Sequence, residues 1–111
     1  MTWNITNSQS ELDGFIDSST TRPIIFFKHS PTCSISHIAK ARLDDWKQAS
    51  GLSVYLIDVI SQRPLSRHLA ERLDVKHESP QVLVVHNQEC IYDASHLGIL
   101  PQELDEVLEQ L

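Results

Sequence analysis

Apolar and polar residues run along this chain in blocks whose period changes from block to block, and the changes order its elements. Ser8-Gln9-Ser10-Glu11 has the serine-to-glutamate spacing of a capping box, and Leu12, Phe15 and Ile16 follow at helical spacing. Asp17-Ser18-Ser19-Thr20 ends that pattern. Ile24 to Lys28 is β-branched and aromatic with no alternation, which predicts a strand buried on both faces. From Cys33 to Gln48 the helical period returns through Ile35, Ile38, Ala39, Leu43 and Trp46, with Gly51 as the expected stop.

Leu52 to Ile60 reads as a second strand, and Pro64 to Leu73 as a helix with Leu65, Leu69 and Leu73 four residues apart. Val82 to Val85 is a third strand, His86 to Glu89 a polar turn, and Cys90 to Ala94 a short strand. Pro101 opens a last helix, with Leu104, Val107, Leu108 and Leu111 on one face. A further short strand around Trp3 to Ile5 is possible at the start. Strands joined through helices are expected to be parallel, and the two joined by the short turn antiparallel. The expectation is one α/β domain over residues 1–111, with a mixed central sheet of four to five strands and helices on both faces. That order of elements is similar to the thioredoxin fold.

Composition narrows the function classes. With 111 residues the chain suffices for one core, and its formal charge of −6 argues against a phosphate-binding, nucleic-acid partner. The N-terminal residues have neither the basic region nor the apolar run of a signal peptide, and no stretch is long enough to span a bilayer. Two cysteines without an export signal fit a reducing, cytoplasmic location, where a structural disulfide is not expected.

The chemistry centres on Cys33, at the junction of the first long strand with the following helix. A helix start offers unpaired N–H groups and the positive end of the dipole, and both favour thiolate, the nucleophilic form. Thr32 is the expected N-cap, with Cys33 in the first turn and Ser36 one turn on. His29 and His37, each four residues from Cys33, are candidates to support a thiolate, most simply as surface or neighbouring groups. They do not complete a metal ligand set. Lys28 points to the same end of the sheet and is expected to be solvated. Cys90 lies beyond the hairpin turn, roughly 20 Å from the Pro80 end at 3.3 Å per residue, too far for a disulfide with Cys33 if Cys33 is beside Pro80. The alternative for Cys33 is a packed, inert thiol.

The run Lys28-His29-Ser30-Pro31-Thr32-Cys33-Ser34-Ile35-Ser36, with Ser79-Pro80-Gln81 downstream, resembles the monothiol bacilliredoxins. These are thioredoxin-like proteins of bacteria that use bacillithiol in place of glutathione. The family pattern Thr-Cys-Pro-Ile-Ser appears as Thr32-Cys33-Ser34-Ile35-Ser36, so Ser34 replaces a proline. The resemblance implies that Cys33 is the nucleophile, that Ser36 stands where dithiol members carry a second cysteine, and that the Ser79–Pro80 bond is cis beside the cysteine. It further implies hydroxyl or capping contacts from Thr32, Ser34 and Ser36, and a backbone contact from Ser79 to a bound thiol. The implied activity is removal of bacillithiol from bacillithiolated client proteins, with bacillithiol as co-substrate, no bound cofactor or metal, and neither nucleic acid nor membrane as partner. The rival readings are a non-catalytic binding module on the same fold, a monothiol protein holding an iron–sulfur cluster, and an inert α/β domain.

Overall fold

The structure, a computed structural model, describes residues 2–47 and 51–111. Five strands form one sheet: β1 (Asn4–Ile5), β2 (Ile24–His29), β3 (Ser53–Asp58), β4 (Gln81–His86) and β5 (Glu89–Ser95), in the spatial order β1-β3-β2-β4-β5. The helices are α1 (Gln9–Asp17), α2 (Ser34–Asp44), α3 (Arg63–Leu73) and α4 (Pro101–Glu109). None of these helices is long and apolar enough to cross a membrane.

The unalternating run on β2 has the expected cause. All six of its residues are buried, because β3 and β4 flank it and helices cover both faces. Ile24 and Phe26 pack with Leu12, Ile16, Leu65 and Leu69 under α1 and α3. Ile25 and Phe27 pack with Ala39, Leu43 and Leu104 under α2 and α4. Ser8 caps α1 as its spacing predicts, its Oγ accepting the Glu11 N–H at 3.1 Å. The hairpin between β4 and β5 turns through Asn87 and Gln88, both at positive φ (53° and 64°), as a two-residue turn matched to strand twist requires.

Three expectations need correction. First, β4 is antiparallel to β2, although a helix precedes it. Asp58 at the end of β3 pairs with His29, and Gln81 at the start of β4 pairs with Lys28. The α3 connection therefore returns the chain to the end of the sheet it left, and β4 must run back. Second, α2 ends at Asp44, and Gly51 (φ 87°) precedes β3 without capping the helix; Gln48 lies outside the described residues. Third, β3 stops at Asp58 rather than Ile60. Asp58 Oδ1 accepts the N–H groups of Ile60 and Ser61 at 2.8 and 3.0 Å, a local turn that competes with further strand pairing.

Candidate active site

β2 ends at His29, and Ser30-Pro31-Thr32-Cys33 turns the chain into α2, with the Cys33 N–H donating to the Ser30 carbonyl at 3.1 Å. Pro31 suits the first inner position of such a turn, and Thr32 fills the second. Cys33, not Thr32, is therefore the N-cap of α2. Its backbone is extended (φ −104°, ψ 123°), and its carbonyl accepts the His37 N–H at 3.2 Å. The half-buried thiol stands where a serine or aspartate side chain would accept a helix N–H, and no side chain takes that bond. The open amides of the first turn, from Ser34 to Ser36, favour negative charge at the Cys33 end.

Ser36 is fully buried. Its hydroxyl accepts the Ser30 N–H at 2.9 Å and is hydrogen-bonded to His29 Nδ1 at 2.7 Å. It thus joins the end of β2 to the first turn of α2, directly beneath the turn that carries Cys33. The position opposite a dithiol partner is a structural hydroxyl. Burying Ser36 with Ala39 and Leu43 rotates α2 so that Ile35 and Ile38 face outward, 37% and 47% exposed.

The two histidines differ. His29 is buried rather than at the surface; it stacks on Phe27 at 5.6 Å and meets the edge of His37 at 5.0 Å. Burial, then the neighbouring His37 and Lys40, push its pKa below the ordinary imidazole value against the opposing pull of Asp58 and Asp44. His37 is exposed, and its Nε2–H donates to the Pro31 carbonyl at 2.6 Å, bracing the turn before Cys33. Exposed Thr32 and Ser34 flank the cysteine.

Ser79-Pro80 enters β4 at the same end of the sheet. The peptide bond between them is cis, and the Pro80 carbonyl accepts the His96 N–H at 2.9 Å. Among the described residues, Ser79 Oγ is the one buried side-chain polar atom without a hydrogen-bond partner.

Lys28 is not solvated. It lies on the central strand with no exposed surface, and its Nζ donates to His77 Nδ1 at 3.1 Å. Burial lowers its pKa to about 8, opposed by Cys90. His77, in the segment before β4, carries no periodic signal in the sequence, and its meeting with Lys28 was not legible there. The stretch without alternation did contain the other half of the clue, since a strand buried on both faces leaves its lysine no route to water.

Cys90 is a free thiol, as is Cys33. It pairs across β4 with Val85, which pairs with Ile24 at the start of β2, and it packs on the α1 and α3 face. Cys33 belongs to the opposite end of β2 and to the helix on the other face. Burial pushes the Cys90 thiol up to about 11, opposed by a backbone hydrogen bond at Tyr92. No group of three His, Cys, Asp or Glu side chains among the described residues is placed to hold a metal.

A mixed sheet with a cysteine at the head of the helix after its central strand, and a cis-proline at the same end of the sheet where the antiparallel strand begins, defines a thioredoxin-fold thiol protein. Solved structures agree. One described as a provisionally assigned oxidoreductase with a thioredoxin fold superposes with a TM-score of 0.81 at 27% identity, covering 92% of this chain and 89% of that one. Oxidised thioredoxin from Plasmodium falciparum (TM-score 0.70, 16% identity, 98% and 97% covered) and thioredoxin from Fasciola hepatica (0.71, 14%, 96% and 97%) share the fold. The sequence model of the monothiol bacilliredoxin BrxC family matches residues 4–104. The chain belongs to that family, and its role is of the thiol oxidoreductase kind.

Proposed function

We propose that this protein removes bacillithiol from protein mixed disulfides in the cytoplasm through Cys33 alone. The observation that carries the reading is the pairing of an N-cap thiol with a buried hydroxyl, Ser36, where an internal resolving thiol would stand. In the first step the Cys33 thiolate attacks the bacillithiol sulfur of the client disulfide. That S–S bond breaks as the new one forms, and the client thiolate leaves and takes a proton from water. A second bacillithiol, as thiolate, then attacks the bacillithiol sulfur on Cys33, releasing bacillithiol disulfide and restoring the Cys33 thiolate. Attack by an external thiol is required because Cys90 stands at the other end of the strands. The open first-turn amides of α2 would hold the sulfur anion, the Ser79 backbone would pair with the bound thiol, and outward-facing Ile35 and Ile38 offer an apolar surface to the client. No resident cofactor enters either step.

Intact mass spectrometry after mixing with bacillithiol disulfide tests this. The expected result is one bacillithiol adduct, lost in Cys33→Ala and kept in Cys90→Ala. An adduct on Cys90 alone, or none, overturns the reading. The same measurement with glutathione disulfide reads how selective the site is.

A further inference from the structure

On the face of the sheet covered by α1 and α3, a groove of about 440 Å³ opens between α3 and the loop after β3. That volume is in the range of small-molecule sites. Val59, Ile60 and Ala70 give it an apolar wall, Arg63 and Arg67 stand along α3, and His77 and buried Ser66 close one side.

Three observations give the groove a charge preference. Neither Arg63 nor Arg67 has a carboxylate within 4 Å among the described residues, although the chain carries 15 acidic residues against nine basic ones. Among the described residues, Lys40, Arg72 and Lys76 are paired with carboxylates, whereas Arg22, Arg42 and Lys47, like Arg63 and Arg67, are not; of these five only Arg63 and Arg67 line the groove. Directly behind the wall lies a third cation: Lys28 Nζ and Ser66 Oγ meet the same His77 nitrogen, at 3.1 and 3.4 Å. Lys28 is wholly buried and has no other hydrogen-bond partner among the described residues, so its charge is uncompensated. Glu71 is the one acidic residue lining the groove.

We propose that this groove binds a small organic carboxylate, its anionic group held by Arg63 and Arg67 and its apolar body resting on Val59, Ile60 and Ala70. Planar guanidinium groups match a carboxylate geometrically, and the apolar wall favours an organic anion over a bare inorganic one. The Lys28 charge, close behind and shielded from water, adds to the attraction.

The test is an amide-resolved NMR titration of the full chain with benzoate, with benzamide as its uncharged analogue and with inorganic phosphate. Benzoate is expected to give saturable shifts centred on Val59, Ile60, Ser66 and His77, with benzamide and phosphate at least about tenfold weaker. The Arg63→Gln/Arg67→Gln double variant, its fold checked by the dispersion of the same spectrum, is expected to lose at least about tenfold in benzoate affinity, and each single variant part of that. Absence of saturable shifts, an equal response to benzamide or to phosphate, or undiminished binding by the folded variants overturns the proposal.

Discussion

His29 Nδ1 and the Ser36 hydroxyl, seven residues apart in the chain, lie 2.7 Å from each other in the buried layer between the sheet and α2. This bond, with the one from Ser30 N–H to the same hydroxyl, makes Ser36 the peg that holds the cysteine-bearing turn on the sheet. Removing it in Ser36→Ala leaves the buried His29 Nδ1 and the half-buried Ser30 N–H without this partner and is expected to cost about 2 kcal/mol, read by denaturant unfolding. Ser36→Cys is more telling. It sets a second thiol one helical turn from Cys33, about 5–6 Å away, which a disulfide can bridge. The small-thiol adduct on Cys33 is then expected to collapse to an internal disulfide, seen in intact mass as an oxidised, adduct-free chain. A persistent adduct in that variant would show the peg position to be out of reach.

Ser79 gives a prediction of opposite sign. Its hydroxyl is buried without a partner, a state that costs stability without contributing any. Ser79→Ala is expected to raise stability by about 1 kcal/mol. Because the backbone of Ser79, not its hydroxyl, is proposed to meet the bound thiol, the rate of adduct formation at Cys33 should stay unchanged. A loss of stability in thermal unfolding would reveal a partner for the hydroxyl.

Lys28 links stability to alkaline pH. Its folded pKa of about 8 lies below the ordinary lysine value of 10.5. Between those two values the unfolded chain holds a proton that the folded chain has lost, so this residue's contribution rises with pH across that window. Below it both states are charged, and the cost of the buried ammonium is present in full. Lys28→Met, which keeps the aliphatic stem, should therefore be more stable than the parent by on the order of 2 kcal/mol near neutral pH. The difference should shrink as pH is raised through that window. A difference constant with pH would count against a buried charge.

His29 acts in the acid range. Its folded pKa is lowered, chiefly by burial, so its stabilising share is complete above the ordinary imidazole value and lost as pH falls through the lower, folded one. His29→Asn should flatten the decline of stability as pH falls below the ordinary imidazole value of 6.5, without abolishing it. His77, also lowered by burial and by Lys28, contributes in the same range. Further loss at lower pH comes from Asp58, whose carboxylate the Ser61 and Ile60 amides favour, and from Asp13 beside His68 and Arg72. Parallel curves for parent and variant in pH-dependent denaturation would remove His29 from the account.

Much of the scaffold was legible because it depends on local period and burial. The unbroken apolar run on β2 told of a central strand, and the serine-glutamate spacing told where α1 begins. What escaped depends on partners distant in sequence. The apolar period of α2 holds for Ala39 and Leu43 but fails at Ile35 and Ile38, because Ser36 is drawn inward by His29 and Ser30. Thr32 looked like a cap by residue type, yet the turn started by Pro31 used it one residue too early. Lys28 was assigned to solvent by its charge, whereas its neighbours on either strand leave it none, and its partner His77 comes from 49 residues away.

The two-residue strand β1 has a consequence beyond the site. It is the outer neighbour of β3, held there by Asn4 Nδ2 donating to the Val54 carbonyl at 3.2 Å and by Trp3 Nε1 donating to Asp44 at 2.7 Å. Without it, the six-residue β3 would present a bare row of amides and carbonyls, a template for pairing with another copy. At the other border, β5 turns Glu89 and Asp93 outward, where charge discourages such pairing. Both rims of the sheet are thus guarded, and the short N-terminal segment serves as a fender against edge-to-edge aggregation.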